Sequence, residues 1–190
     1  MSLISRVCLV APALAFASGP AVAAGPLPLG ELVKPGRVLL LRHALAPGIG
    51  DPTGFRLRDC STQRNLDASG RSQAIKLGER LVRAGISRAR VYSSQWCRCL
   101  DTARLLDLGP VMELPALNSF FERPQERDTN IAALRAFLAK LPADGPPVLL
   151  VTHQVTISAL AGMFAASGGG VLLQLDGSLR PRVLGEIGAN

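Results

Sequence analysis

The sequence predicts an α/β fold, a parallel sheet with helices on both faces. Short apolar runs such as Val38-Leu39-Leu40-Leu41 and Val148-Leu149-Leu150-Val151 carry no polar face, as strands buried on both sides require. Segments of ten or more residues with helical periodicity alternate with them, the pattern of strands joined by crossover helices. With 190 residues, 48% of them apolar, the chain suffices for one domain with a sizeable core. Only 4% is aromatic, so that core is built from Leu, Val, Ile and Ala.

Residues 1–24 read as a secretory signal. Arg6 supplies the positive start, Val7 to Phe16 is apolar apart from Pro12, and Ala21-Val22-Ala23 offers a small-residue cleavage site. The stretch is too short, and too broken at Ser18-Gly19-Pro20, to span a bilayer. The expected product is secreted or periplasmic, with no stable membrane insertion after cleavage. Residues 25–36 read as an extended lead-in, and 37–190 as the folded domain.

Arg37 to Leu41 is the first strand. Residues 44–65, rich in Gly, Pro, Asp and Arg, lack periodicity, and an aperiodic loop of that length is often functional. Asp67 caps a helix running to about Ala84, where Gly85 stops it, with Ala74, Leu77, Leu81 and Val82 as its apolar face. Arg90 to Tyr92 is a strand ending at Ser93-Ser94, Cys97 to Leu106 a helix, and Val111 to Leu114 a weak strand between Pro110 and Pro115. Asn130 to Leu141 is an amphipathic helix through Ile131, Leu134, Phe137, Leu138 and Leu141. Val148 to Val151 is a strand and Val155 to Ala165 a helix. Val171 to Leu175, the Asp176-Gly177 turn and Arg182 to Ile187 form a closing hairpin.

Net charge is +7, from 21 Lys and Arg against 14 Asp and Glu, and only Lys34, Lys76 and Lys140 are Lys. Arg excess suits planar recognition of phosphate or carboxylate. The cations are scattered, with no basic run and few aromatics among them, which argues against a nucleic-acid partner and for a field that attracts small anions. Gly48-x-Gly50 is followed by no Gly-Lys-Ser/Thr and is not a nucleotide loop. After signal removal three cysteines remain, Cys60, Cys97 and Cys99. Cys97 and Cys99 cannot comfortably close on each other, so Cys60 is expected to bridge one of them. A metal site built on the three would lack a fourth ligand, so none is expected.

The chain has two histidines, and both stand in the same setting. His43 follows Val38 to Arg42, and His153 follows Val148 to Thr152, each at the carboxyl end of a buried strand, where open α/β sheets form ligand crevices. Arg42 puts a permanent cation beside His43, which is costly unless an anion is bound. Arg98 lies in the first turn of a helix, beside N–H groups that also favour an anion. Two guanidinium groups, a helix start and two imidazoles suit a phosphate dianion.

Four ordered motifs carry a resemblance. Leu41-Arg42-His43-Ala44 resembles the Arg-His-Gly signature of the histidine phosphatase superfamily, with Ala44 in place of Gly. Leu66, Gly70 and Gln73-Ala74 resemble that family's Leu-x-x-x-Gly-x-x-Gln-Ala helix start. Ser93-Ser94, Arg98 and Thr102-Ala103 resemble its second arginine motif, and Val151-Thr152-His153 its second histidine motif. Gln154 after His153, in place of Asp, and the short first motif resemble the smaller, mutase-like branch rather than the acid phosphatases.

The resemblance implies a three-layer α/β/α fold like that of phosphoglycerate mutase, with a mainly parallel sheet. It implies a phosphatase that uses neither metal nor cofactor, with His43 as nucleophile and Arg42, Arg98 and His153 holding the phosphate. A carboxylic acid between the second arginine and second histidine motifs would protonate the leaving group. Glu122, beside Phe120 and Phe121, is favoured over Glu126, and its aromatic neighbours are expected to give it an apolar setting. Arg56, Arg58 and Arg64 read first as a solvated basic loop, and as contacts to a second anionic group in the alternative. A bridge from Cys60 would tie that loop to the helix of Arg98. The expected partner is a small phosphorylated substrate; a sugar phosphate, a lipid headgroup and a phosphoprotein all fit. A binding protein without turnover and a phosphotransferase or mutase are the alternative activities.

Overall fold

Alternation along each strand decides the architecture. In the computed structural model, which describes residues 25–189, β1 (Arg37–Arg42), β2 (Arg90–Ser93), β3 (Val111–Glu113) and β4 (Val148–Thr152) run parallel in the order β3-β2-β4-β1. β5 (Gly170–Gln174) pairs antiparallel with β1, and β6 (Arg182–Ile187) closes the hairpin at the edge. The expected signal, residues 1–24, lies outside the described residues.

Successive strand residues point to opposite faces. Leu39, Leu41, Val91, Leu149 and Val151 pack on one face against Leu77 and Leu81 of α1 (Ala68–Arg83) and Ala103 of α2 (Cys97–Leu105). Val38, Leu40, Tyr92 and Leu150 pack on the other against Leu134 and Leu138 of α3 (Arg127–Ala139) and Ile157 of α4 (Gln154–Ala161). The result is the expected three-layer α/β/α arrangement with a mainly parallel sheet.

The helix signals act where the sequence puts them. Asp67 accepts the Gly70 N–H at 2.7 Å and caps α1, and Gly85, at φ 93°, turns the chain away after it. Three expectations need correction. Val82 is half exposed, because it sits about 100° round the helix from the buried Leu81. The last helix ends at Ala161 rather than Ala165, since Gly162 adopts a left-handed cap at φ 68°. The lead-in is not wholly extended: Leu29–Val33 forms a 3-10 turn that drives Leu32 into the core beside α1.

Residues 44–65 contain one short 3-10 turn, Cys60–Thr62, and otherwise irregular backbone. Side chains satisfy that backbone. Gln63 donates to the carbonyls of Arg56 and Leu57, both at 2.8 Å, and accepts the Cys97 N–H at 2.9 Å. A disulfide between Cys60 and Cys97 fixes the loop to the start of α2. That selects Cys97 from the two expected partners and leaves Cys99 a buried free thiol.

Candidate active site

The site begins with the pairing of β1 and β4. Their register sets Arg42 opposite Thr152, and the ladder continues with the His43 N–H donating to the Thr152 carbonyl at 3.0 Å. His43 and His153 therefore leave adjacent parallel strands at the same height, with ring centroids 5.5 Å apart. The motif residues around them are anchors. Thr102 Oγ1 accepts the Ala44 N–H at 3.0 Å, and Gln73 Oε1 accepts the Leu45 N–H at 2.9 Å, so both amides just after His43 are held by side chains of the helix layer. Ala44 is fully buried and has no positive φ, so Ala in place of Gly costs no backbone strain here.

Arg42, His43, Arg98, Glu122 and His153 all line one cavity of about 190 Å³. The His43 Nδ1–H donates to its neighbour's carbonyl, Ala44 O, at 2.7 Å, which leaves Nε2 as the nitrogen with a free lone pair. Burial, with the positive charges of Arg98, Arg64 and Arg42 adding to it, carries the His43 pKa down to about 3, so the ring is neutral. His153 is held well below its ordinary value, by burial first and then by Arg98 and His43. Its Nε2 lies 2.8 Å from Ser94 Oγ and 3.4 Å from the Cys99 thiol. Burial pushes that thiol up to about 12, so Cys99 is protonated and packs as an apolar group.

Arg42 donates to the Ala165 carbonyl at 3.0 Å, and burial lowers its pKa. Arg98 is engaged more fully. Both of its terminal nitrogens meet the Asp51 carboxylate, at 2.8 to 3.1 Å, and both side chains are almost wholly buried. Burial alone would raise the Asp51 carboxyl, but Arg98, the Arg64 N–H and the Trp96 indole N–H hold it below the usual carboxylate range. Sequence reasoning did not single out Asp51 or Trp96. The only hint was that the single Trp stands two residues before Arg98.

The loop arginines divide. Arg56 pairs with Asp59 and Arg58 is exposed, as a solvated basic loop predicts. Arg64 instead turns inward, donates to the carbonyls of Gly50 and Ala46, and joins Arg42, Arg98 and Arg123 in the cavity wall. Glu122 reaches the cavity from the opposite rim, its Oε1 accepting the Asp51 N–H at 2.7 Å. The apolar setting expected for it does not form: Phe120 enters the core, whereas Phe121 and Glu122 remain exposed at the rim. Glu126 is not part of the cavity wall and pairs with Arg123, which is.

Arg42, Arg64 and Arg98 converge with two neutral imidazoles on one cavity beyond the ends of β1 and β4, and residues 38–124 match one family model. That model is the histidine phosphatase superfamily, branch 1. The match spans three of the four motifs, and His153 lies beyond its end. Solved structures share the fold over 78% to 81% of this chain. The mycobacterial glucosyl-3-phosphoglycerate phosphatase Rv2419c, complexed with VO3, is 20% identical over 78% of this chain and 97% of its own, with a TM-score of 0.58. The protein histidine phosphatase SixA, complexed with tungstate, is 18% identical over 80% and 97%, at 0.57. Rv3214 from Mycobacterium tuberculosis is 17% identical over 81% and 98%, at 0.60. At these identities the likeness is one of fold. No curated protein matches the chain.

Proposed function

We propose that the chain is an exported phosphatase that hydrolyses a phosphate ester through a phosphohistidine on His43. The observation that carries the reading is the neutral His43 ring, its Nδ1–H fixed by the Ala44 carbonyl, set in a cavity wall with Arg42, Arg64 and Arg98. In the first step His43 Nε2 attacks phosphorus, the N–P bond forms, and the ester P–O bond breaks. The leaving alkoxide takes a proton from Glu122. In the second step the Glu122 carboxylate accepts a proton from water as its oxygen attacks phosphorus, releasing phosphate and neutral His43. Throughout, the guanidinium groups and His153 stabilise the non-bridging oxygens.

A second reading, a phosphate-binding protein without turnover, draws on Asp51, whose carboxylate occupies the donors that Arg98 would offer an oxyanion. One experiment separates the two. The protein and its His43→Ala variant are incubated with an aryl phosphate in the presence of chelator. Turnover lost in the variant supports the phosphatase. Binding of phosphate without turnover supports the second reading, and equal turnover in both chains removes His43 as nucleophile.

A further inference from the structure

Seven aromatic residues, Phe, Tyr and Trp together, lie within the described residues. Phe55, Trp96 and Phe121 line the one cavity that holds His43, and the Phe164 ring lies 5.8 Å from the Arg42 guanidinium. Trp96, with Phe55 packed on it, belongs to the core under the cavity, whereas Phe121 and Phe164 are exposed beside the cavity and are not accounted for by core packing. Among the four most exposed large hydrophobic side chains of the described residues are Ile49 at 90%, Phe164 at 67% and Phe121 at 57%. Ile49 and Phe121 line the cavity, and Phe164 stands beside Arg42. Apolar surface gathered this way around a charged pocket marks a binding site.

Several polar groups of the same wall are already occupied. Gln154 donates to Ser158 Oγ and to the Met163 carbonyl, and accepts the Ala165 N–H. Ser119 Oγ accepts the Phe121 N–H, and the Trp96 indole donates to Asp51. The hydroxyl groups of a sugar or polyol would lose water on entering and find, beyond the arginine cradle, only the Ser119 O–H and the rim groups Glu122 and Arg123 as partners. An alkyl or aryl group would instead bury its surface on Ile49, Phe121 and Phe55.

We infer that the cavity takes phosphate monoesters of apolar alcohols, alkyl or aryl, with the phosphate in the arginine cradle and the apolar group on the Ile49, Phe55 and Phe121 wall. The inference rests on the reading of the cradle as a phosphate-ester site. Phosphonates test it independently of catalysis, because their C–P bond does not hydrolyse. Calorimetric titration of the protein with hexylphosphonate and with 2,3-dihydroxypropylphosphonate is expected to show hexylphosphonate bound at least tenfold more tightly. In a chain carrying Ile49→Ala and Phe121→Ala, with each affinity read against that chain's own affinity for inorganic phosphate, the ratio is expected to fall at least threefold. Equal affinities, or a preference for the dihydroxypropyl compound, overturn the inference.

Release of phosphate from hexyl phosphate tests the underlying reading separately. A hexylphosphonate preference without release supports the apolar subsite and sinks the phosphatase. Release with no preference for the hexyl chain sinks the subsite and supports the phosphatase.

Discussion

At Arg98 two acceptors compete for the same guanidinium face, Asp51 and any oxyanion that enters the cavity. Two unit charges 4 Å apart interact by about 4 kcal/mol at the effective dielectric near a protein surface. The Asp51 charge therefore opposes an incoming dianion strongly. Asp51→Asn removes that charge and keeps one acceptor, for either the Arg64 N–H or the Trp96 N–H, which bond different oxygens of Asp51. It is expected to bind inorganic phosphate at least tenfold more tightly by calorimetry, and to lose roughly 1–3 kcal/mol of stability as the charged pairing with Arg98 goes. Weaker phosphate binding would mean that Asp51 orients Arg98 for the anion rather than competing with it. His43 makes a second prediction. Its folded-state pKa of about 3 lies below the ordinary 6.5, so its stabilising contribution is complete above pH 6.5 and is lost as pH falls through the value near 3. Between these limits the slope is about 1.4 kcal/mol per pH unit. Denaturant unfolding of His43→Asn across that window is expected to show a correspondingly shallower loss of stability than the native chain. Parallel curves would show that the ring titrates normally.

At the scale of the elements, the strand ends, the α1 cap and the place of each histidine at the end of a buried strand were legible, because continuous apolar runs and the 3.6 period carry burial directly into sequence. The β1–β4 register that joins the histidines was not, nor was the loop over 44–65. Aperiodic backbone gives no sign of which side chains turn inward, so Asp51 and Arg64 looked like their exposed neighbours Arg58 and Pro52. What turns them inward is tertiary: the Arg98 guanidinium for one, the carbonyls of Ala46 and Gly50 for the other. The split of Phe120 from Phe121 was hidden for the same reason. Contact between α1 and α2 was equally illegible and supplies a prediction. A Cβ on Gly78 would lie 2.3 Å from the Leu106 carbonyl oxygen. Ala is the better helix former by about 1 kcal/mol, yet overpacking against backbone costs roughly 1–3 kcal/mol. Gly78→Ala is therefore expected to lower stability in a urea titration, and a more stable variant would show that the helices separate freely.

Across the whole molecule, one covalent link joins the irregular half of the site to the regular half. The Cys60–Cys97 bridge closes 37 residues of chain, a span for which removing the link costs about 2–4 kcal/mol. Cys60→Ser, or reduction, is expected to lower stability by that amount in denaturant unfolding and, in the Asp51→Asn background, to weaken phosphate binding, since Arg64 rides on the released loop. Phosphate affinity unchanged by reduction in that background would show that hydrogen bonds alone hold the rim. Behind that rim, the pairing of β1 with β4 has a consequence for descent as well as for chemistry. A two-residue slip between those strands would separate the imidazoles by about 6.6 Å, so the reactive pair is inherited with the sheet and tolerates little drift. The walls contributed by residues 44–65 and 119–123 carry no such debt to the ladder. New substrate preferences can arise by exchanging those segments while the histidines stay where the strands put them, so that lineages diverge in diet without reinventing the reaction.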